Sequence, residues 1–258
     1  MKNNIDKNSK NLLSIYYTAG YPHLDSTLPI AAELEKAGVD FLEIGFPYSD
    51  PVADGPTIQE ASQVALKNGM TLKILFEQLR SLRKEVSIPV FLMGYLNPVL
   101  QYGVENFLKS CKETGVNGVI LPDLPMYAYE DEFKPLFEKY GIHLIFLVTP
   151  QTSEERIRKI DALSHSFIYL LSSNATTGKQ LQVDDKTQTY FQRIHNMHLK
   201  SPTIVGFGIS DRDSFEKAVR NTQGAIIGSA FVKQLKDSEN YLKNIDPFIK
   251  KVKGEPES

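Results

Sequence analysis

A chain of 258 residues, 41% hydrophobic and 23% charged, has the make-up of a soluble globular protein that can bury about 75% of its unfolded surface. Its formal net charge of −2 excludes the basic footprint of a nucleic-acid binder or of a polybasic membrane surface. Its one cysteine, Cys111, excludes an internal disulfide framework and a cysteine-rich zinc site, and fits a reducing, cytoplasmic setting.

The chain opens with a polar segment, residues 1–10, that lacks the apolar region of a signal peptide, and no later stretch approaches 18 apolar residues. Eight short apolar runs then read as strands: Leu12–Tyr17, Phe41–Gly45, Pro89–Met93, Gly118–Leu121, Leu144–Val148, Phe167–Leu171, Thr203–Val205 and Gly224–Ile227. They are continuously apolar rather than alternating, as in a parallel sheet covered on both faces. Between them the spacing predicts helices over Leu24–Ala37, Thr57–Asn68, Leu72–Lys84, Val104–Thr114, Tyr129–Tyr140, Ser153–Leu163, Asp184–Met197, Asp211–Asn221, Ser229–Leu235 and Tyr241–Lys251. Gly38, Gly69, Gly115 and Gly141 follow four of these, the residue type that ends a helix in a left-handed turn. Strands alternating with helices imply βαβ units, and eight of them close a (β/α)8 TIM barrel. The first strand is not followed by the Gly-x-Gly-x-x-Gly of a dinucleotide-binding sheet. The reading is a single barrel domain with extra helices over 1–258, ending in a frayed tail at 252–258.

In such a barrel the carboxyl ends of the strands carry the chemistry. Here they hold Thr18, Glu43, Ser49, Asp50, Asp54, Asn97, Asp123, Thr149, Ser172, Gly206-Phe207-Gly208 and Gly228-Ser229. Glu43 stands out, because it lies in an apolar strand on the face shared with Phe41 and Gly45. None of the eight runs contains a Lys or Arg. A desolvated carboxyl without a cation holds its proton toward neutral pH, which suits a general acid/base; the competing reading is a structural, hydrogen-bonded Glu. Asp54, in the Pro- and Gly-rich loop that follows, is either a second carboxylate at the same mouth or a turn former or helix cap. Gly206-Phe207-Gly208 and Gly228-Ser229 follow the last two strands, where barrels commonly bind phosphate on bare backbone N–H groups; the alternative is that they only make tight turns. Tyr169 is a core tyrosine or a hydrogen-bond partner of Glu43 or of substrate. The five histidines show no metal spacing, so no metal is expected.

The stretch Glu43-Ile44-Gly45-Phe46-Pro47-Tyr48-Ser49-Asp50-Pro51-Val52-Ala53-Asp54-Gly55-Pro56 is similar, at almost every position, to the strand-two signature of the tryptophan synthase alpha chain family. Supporting stretches are Tyr17-Thr18-Ala19-Gly20-Tyr21-Pro22, Met93-Gly94-Tyr95-Leu96-Asn97-Pro98, Pro122-Asp123-Leu124-Pro125, Val205-Gly206-Phe207-Gly208-Ile209-Ser210 and Gly228-Ser229-Ala230.

The resemblance covers nearly the whole chain. It implies cleavage of indole-3-glycerol phosphate to indole and glyceraldehyde 3-phosphate, with Glu43 shuttling protons and Asp54 stabilising the indole nitrogen. It assigns Gly178, Phe207, Gly208, Gly228 and Ser229 to the phosphate, Tyr169 to a place beside Glu43, Tyr16 to the indole ring, and Thr177 with Gly178 to loop closure. It also implies a beta-chain partner in an α2β2 assembly, with pyridoxal phosphate held only by that partner, and it puts Asp50 and Asn97 near the partner. The chain departs from the family at Ser172-Ser173-Asn174-Ala175-Thr176-Thr177-Gly178, where an Arg and a Gly of the usual loop are missing. Alternatives are a stand-alone lyase, a non-catalytic subunit that activates a beta chain, and another sugar-phosphate barrel.

Overall fold

The computed structural model describes residues 5–171, 185–236 and 239–256. Eight parallel strands close on themselves in chain order. They are β1 (Leu12–Thr18), β2 (Phe41–Gly45), β3 (Val90–Met93), β4 (Gly118–Ile120), β5 (His143–Val148), β6 (Ile168–Leu171), β7 (Thr203–Gly206) and β8 (Gly224–Ile227). Each of the eight runs expected from the sequence is a strand, with ends shifted by at most one residue. The barrel closes because β8 pairs with β1 in the register Ser14↔Ile226 and Ile15↔Ile227.

Alternation along the strands sorts side chains into two layers. Leu13, Ile15 and Tyr17, with Leu42 and Ile44, point outward into the core shared with the helices. Phe41, Phe91, Ile120, Ile145, Phe167, Tyr169, Ile204 and Ile226 fill the inside. Phe41, Phe91 and Phe167 make the floor of that interior, with ring centroids 5.2–5.9 Å apart at steep angles. Each buried ring contributes about 1.5–3 kcal/mol, and their edge-to-face pairing adds to it. Ile5 packs into the same cluster at 9% exposure, so the N-terminal segment, polar in composition, sends one apolar side chain into the barrel.

Several helices differ from expectation for local reasons. The stretch expected as one helix over Leu72–Lys84 divides into Leu72–Leu79 and Leu82–Glu85. The second piece aims Arg83 at the carbonyls of Gly115, Val86 and Ile88. The segment expected as one helix over Tyr129–Tyr140 has a π turn at Tyr129–Phe133 before Lys134–Tyr140. Pro135 has no N–H to donate backward and its ring crowds the preceding turn, which widens it. A helix at Leu96–Tyr102, absent from the sequence reading, starts where both Asp123 carboxylate oxygens accept the Leu96 N–H, at 2.9 and 3.0 Å. The last helix spans Ile245–Lys253, and Ile245, Ile249 and Val252 are buried along its inner face. Residues 252 and 253, placed by sequence in a frayed tail, therefore belong to a packed helix, which stops at the left-handed Gly254. Among the described residues no helix is long and apolar enough to cross a membrane.

Candidate active site

Glu43 stands two residues above Phe41 on β2, about 6.6 Å higher along the strand. The register sets Tyr16 beside it on β1 and Phe91 on β3. Its side chain is fully buried, and neither carboxyl oxygen has a hydrogen-bond partner among the described residues. Burial over the phenylalanine floor pushes its pKa from 4.5 up to about 8. An isolated buried carboxylate is too costly to keep at neutral pH, so the group holds its proton there.

Two tyrosines share the space around this carboxyl. The Tyr16 hydroxyl reaches across to Gly45 and the Tyr169 hydroxyl to Gly206, and a β-carbon on either glycine would fall on the phenol oxygen. Burial, aided by the charges of Glu43 and Asp54, raises both phenols far above their ordinary range. Tyr169 thus lies inside the barrel near Glu43, but no hydrogen bond joins the two. Gly45→Ala should swing Tyr16 into the cavity and lower substrate turnover about a hundredfold while the fold persists. Steady-state kinetics beside a circular dichroism spectrum checks it, and unchanged kinetics would contradict it.

Asp54 sits in the loop after β2, where Gln59 Nε2 donates to its carbonyl at 2.8 Å. Tyr95, at the end of β3, fixes the loop from the other side. Its hydroxyl accepts the Ala53 N–H at 3.0 Å and donates to Asp54 Oδ2 at 3.2 Å. Desolvation raises the Asp54 pKa from 3.8 to about 6, with the Tyr95 hydrogen bond pulling it down. Asp54 is therefore mostly ionised at pH 7 while Glu43 is mostly protonated. Gly55, not Asp54, caps the helix Pro56–Lys67.

Above these groups opens a cavity of about 350 Å³ lined by Tyr16, Asp54, Tyr169, Gly208, Gly228 and Ser229. Phe207 and Gly208 both adopt left-handed backbone, with φ of 68° and 77°. For Phe207 that conformation costs about 1–2 kcal/mol. Gly228 precedes the helix Ser229–Gln234, so bare N–H groups sit in the cavity wall. A second space of about 790 Å³ meets the first at Tyr16, Asp54, Met93 and Phe207 and extends past Tyr95, Leu147 and Thr149.

The other polar residues expected at this face have separate tasks. Asp123 caps the helix at Leu96, Asn97 donates to the Tyr48 hydroxyl at 3.3 Å, and Thr149 meets the Thr152 hydroxyl at 3.2 Å. Ser49 donates to Asp50 on the exposed loop after β2, and Thr18 is buried in the barrel. Thr177 and Gly178, with the variant loop 172–178, lie outside the described residues. Ile58 and Lys233 line these spaces without having been named, and Met93 and Tyr95 line them after being named only as part of a family-like stretch. For Tyr95 the signal was its place as a phenol at the end of an apolar strand, facing the Asp54 loop.

A profile of the family described as "Tryptophan synthase alpha chain" matches residues 1–255. The tryptophan synthase alpha chain of Flavobacterium johnsoniae is 56% identical over 244 residues, 95% of this chain and 96% of its own length. That of Christiangramia forsetii is 55% identical over 243 residues, 94% of each. A chain in the crystal structure of the tryptophan synthase complex from Pyrococcus furiosus superposes with a TM-score of 0.84 at 32% identity, covering 95% of this chain and 99% of that one. One from Mycobacterium tuberculosis tryptophan synthase, in its aminoacrylate-bound form, gives 0.81 at 27% identity over 94% and 92%.

Proposed function

The chain belongs to the tryptophan synthase alpha chain family, and from that premise we propose that it cleaves indole-3-glycerol phosphate to indole and glyceraldehyde 3-phosphate in the cytoplasm. The observation that carries this reading is a pair of carboxyls, Asp54 in the cavity wall and Glu43 buried beside the wall residue Tyr16, whose pKa values are pushed to about 6 and about 8, one ionised and one protonated at neutral pH.

The chemistry needs both. The proton on Glu43 passes to the ring carbon that bears the side chain, and positive charge develops on the ring nitrogen. Asp54, ionised, accepts the ring N–H and stabilises that charge. The Glu43 carboxylate then takes the proton of the hydroxyl on the attached side-chain carbon. The O–H electron pair becomes the aldehyde carbonyl, the carbon–carbon bond breaks, and its pair returns to the ring to leave neutral indole. Glu43 ends protonated, ready for another turn. The phosphate rests on the backbone N–H groups of Phe207, Gly208, Gly228 and Ser229, joined by Gly178, so substrate lies with its ring toward Tyr16 and Asp54. Tyr169 packs beside the reacting carbon, and Thr177 closes over it.

The same reading gives the chain a beta-chain partner in an α2β2 assembly, with pyridoxal phosphate held by that partner, and Asp50 and Asn97 on the approached face. Both are exposed there, beside Val52 at 82% exposure. Purified chain incubated with indole-3-glycerol phosphate should form indole and triose phosphate in equal amounts, faster when purified beta chain is added. No indole under either condition would refute the lyase. Indole without complex or acceleration would leave a stand-alone enzyme.

A further inference from the structure

Building on the phosphate placement above, we propose that Lys233 is the cation that pairs with the substrate phosphate and gives the site its preference for a dianion. Lys233 is the only cationic side chain in the wall of the 350 Å³ cavity among the described residues. It lies four residues after Ser229 in the helix Ser229–Gln234. Side chains on a helix lean toward its N-terminus, so the ammonium tilts back toward the Gly228–Ser229 end where the phosphate rests.

Lys233 is also uncommitted. Among the described residues it enters no ion pair, whereas Lys236, farther along the chain, is held by Glu60 at 3.0 Å. The nearby Asp211 carboxylate is occupied, accepting the Ser214 N–H at 2.9 Å and its hydroxyl at 2.7 Å. Backbone alone is a weak answer to two negative charges, because a helix terminus offers about half an elementary charge at most, and this helix has six residues. A lysine ammonium supplies a full point charge with three donors, which suits a phosphate approached from one side. Lys233 is exposed, so its pull is felt at the mouth of the cavity and is screened by salt.

The test compares the full chain with Lys233→Met and Lys233→Arg, using indole-3-glycerol phosphate as substrate and inorganic phosphate as competitor. Lys233→Met should raise KM and the inhibition constant of inorganic phosphate about threefold each, the scale of an exposed charge pair. The loss should be carried by KM rather than kcat. Lys233→Arg should recover most of it, and the rise of KM with ionic strength should flatten in Lys233→Met. Unchanged phosphate inhibition in Lys233→Met, with the parent chain still inhibited, would overturn the lysine assignment alone. A parent chain that forms indole but is indifferent to inorganic phosphate would overturn the phosphate placement and this proposal together.

Discussion

Glu43→Gln is expected to lower indole release at least ~10³-fold, the scale of losing a positioned acid and base together, while leaving the barrel folded. The glutamine keeps the shape and burial of the glutamate and removes only the proton it can give and take. The stability of the same variant tests the cause. Burial raises the carboxyl from 4.5 to about 8, so the folded state holds one more proton than the unfolded chain between those values. The parent should therefore lose stability as pH rises from 4.5 to 8. Below that window both states are protonated, and above it both are ionised and the penalty is complete. Glutamine does not titrate, so the stability of Glu43→Gln relative to the parent should grow across the window, by up to about 5 kcal/mol. Urea unfolding at pH 5 and pH 8 measures this, and a constant difference would contradict it. A folded Glu43→Gln protein with near-normal kcat would remove the catalytic assignment.

Asp54→Asn should cost about 10²–10³ in kcat, the scale of one electrostatic contact to developing charge, and should change the shape of the pH profile. The parent needs Asp54 ionised and Glu43 protonated. Its kcat/KM should fall below about pH 6 as Asp54 gains a proton and above about pH 8 as Glu43 loses one. The two limbs belong to the coupled pair rather than to isolated groups. Asp54→Asn should lose the acid limb and keep the alkaline one. A variant profile that keeps its fall near pH 6 would assign that limb to another group. The Tyr95 hydroxyl, donating to Asp54 at 3.2 Å, helps to hold the acid limb at about 6 and not higher.

The barrel was legible because its strands are short, apolar and separated by helical spacing, and because Gly38, Gly115 and Gly141 do end helices in the left-handed region. Glu43 was legible for a related reason: a carboxyl in a strand series without Lys or Arg has nothing to neutralise it, and burial alone governs its proton. What stayed hidden depends on partners distant in the chain. The helix at Leu96–Tyr102 starts on Asp123, 27 positions away, and Asp54 is set by Tyr95, 41 positions away. Likewise, the π turn before Lys134 shows that a helical pattern fixes the path of a segment but not the pitch that Pro135 imposes on it. Gly45 looked like a strand end and Gly206 like part of a phosphate loop, and their role as gaps for the Tyr16 and Tyr169 rings emerges only when the barrel closes.

The claim on which the rest depends is that a buried carboxyl with no partner among the described residues keeps its proton at neutral pH. Carbon-13 NMR of protein labelled at the glutamate carboxyl carbons measures it, with Glu43→Gln identifying the resonance by its loss. A midpoint near 8 is expected for Glu43; a midpoint between 4 and 5, the ordinary range for a glutamate of about 4.3, would contradict it.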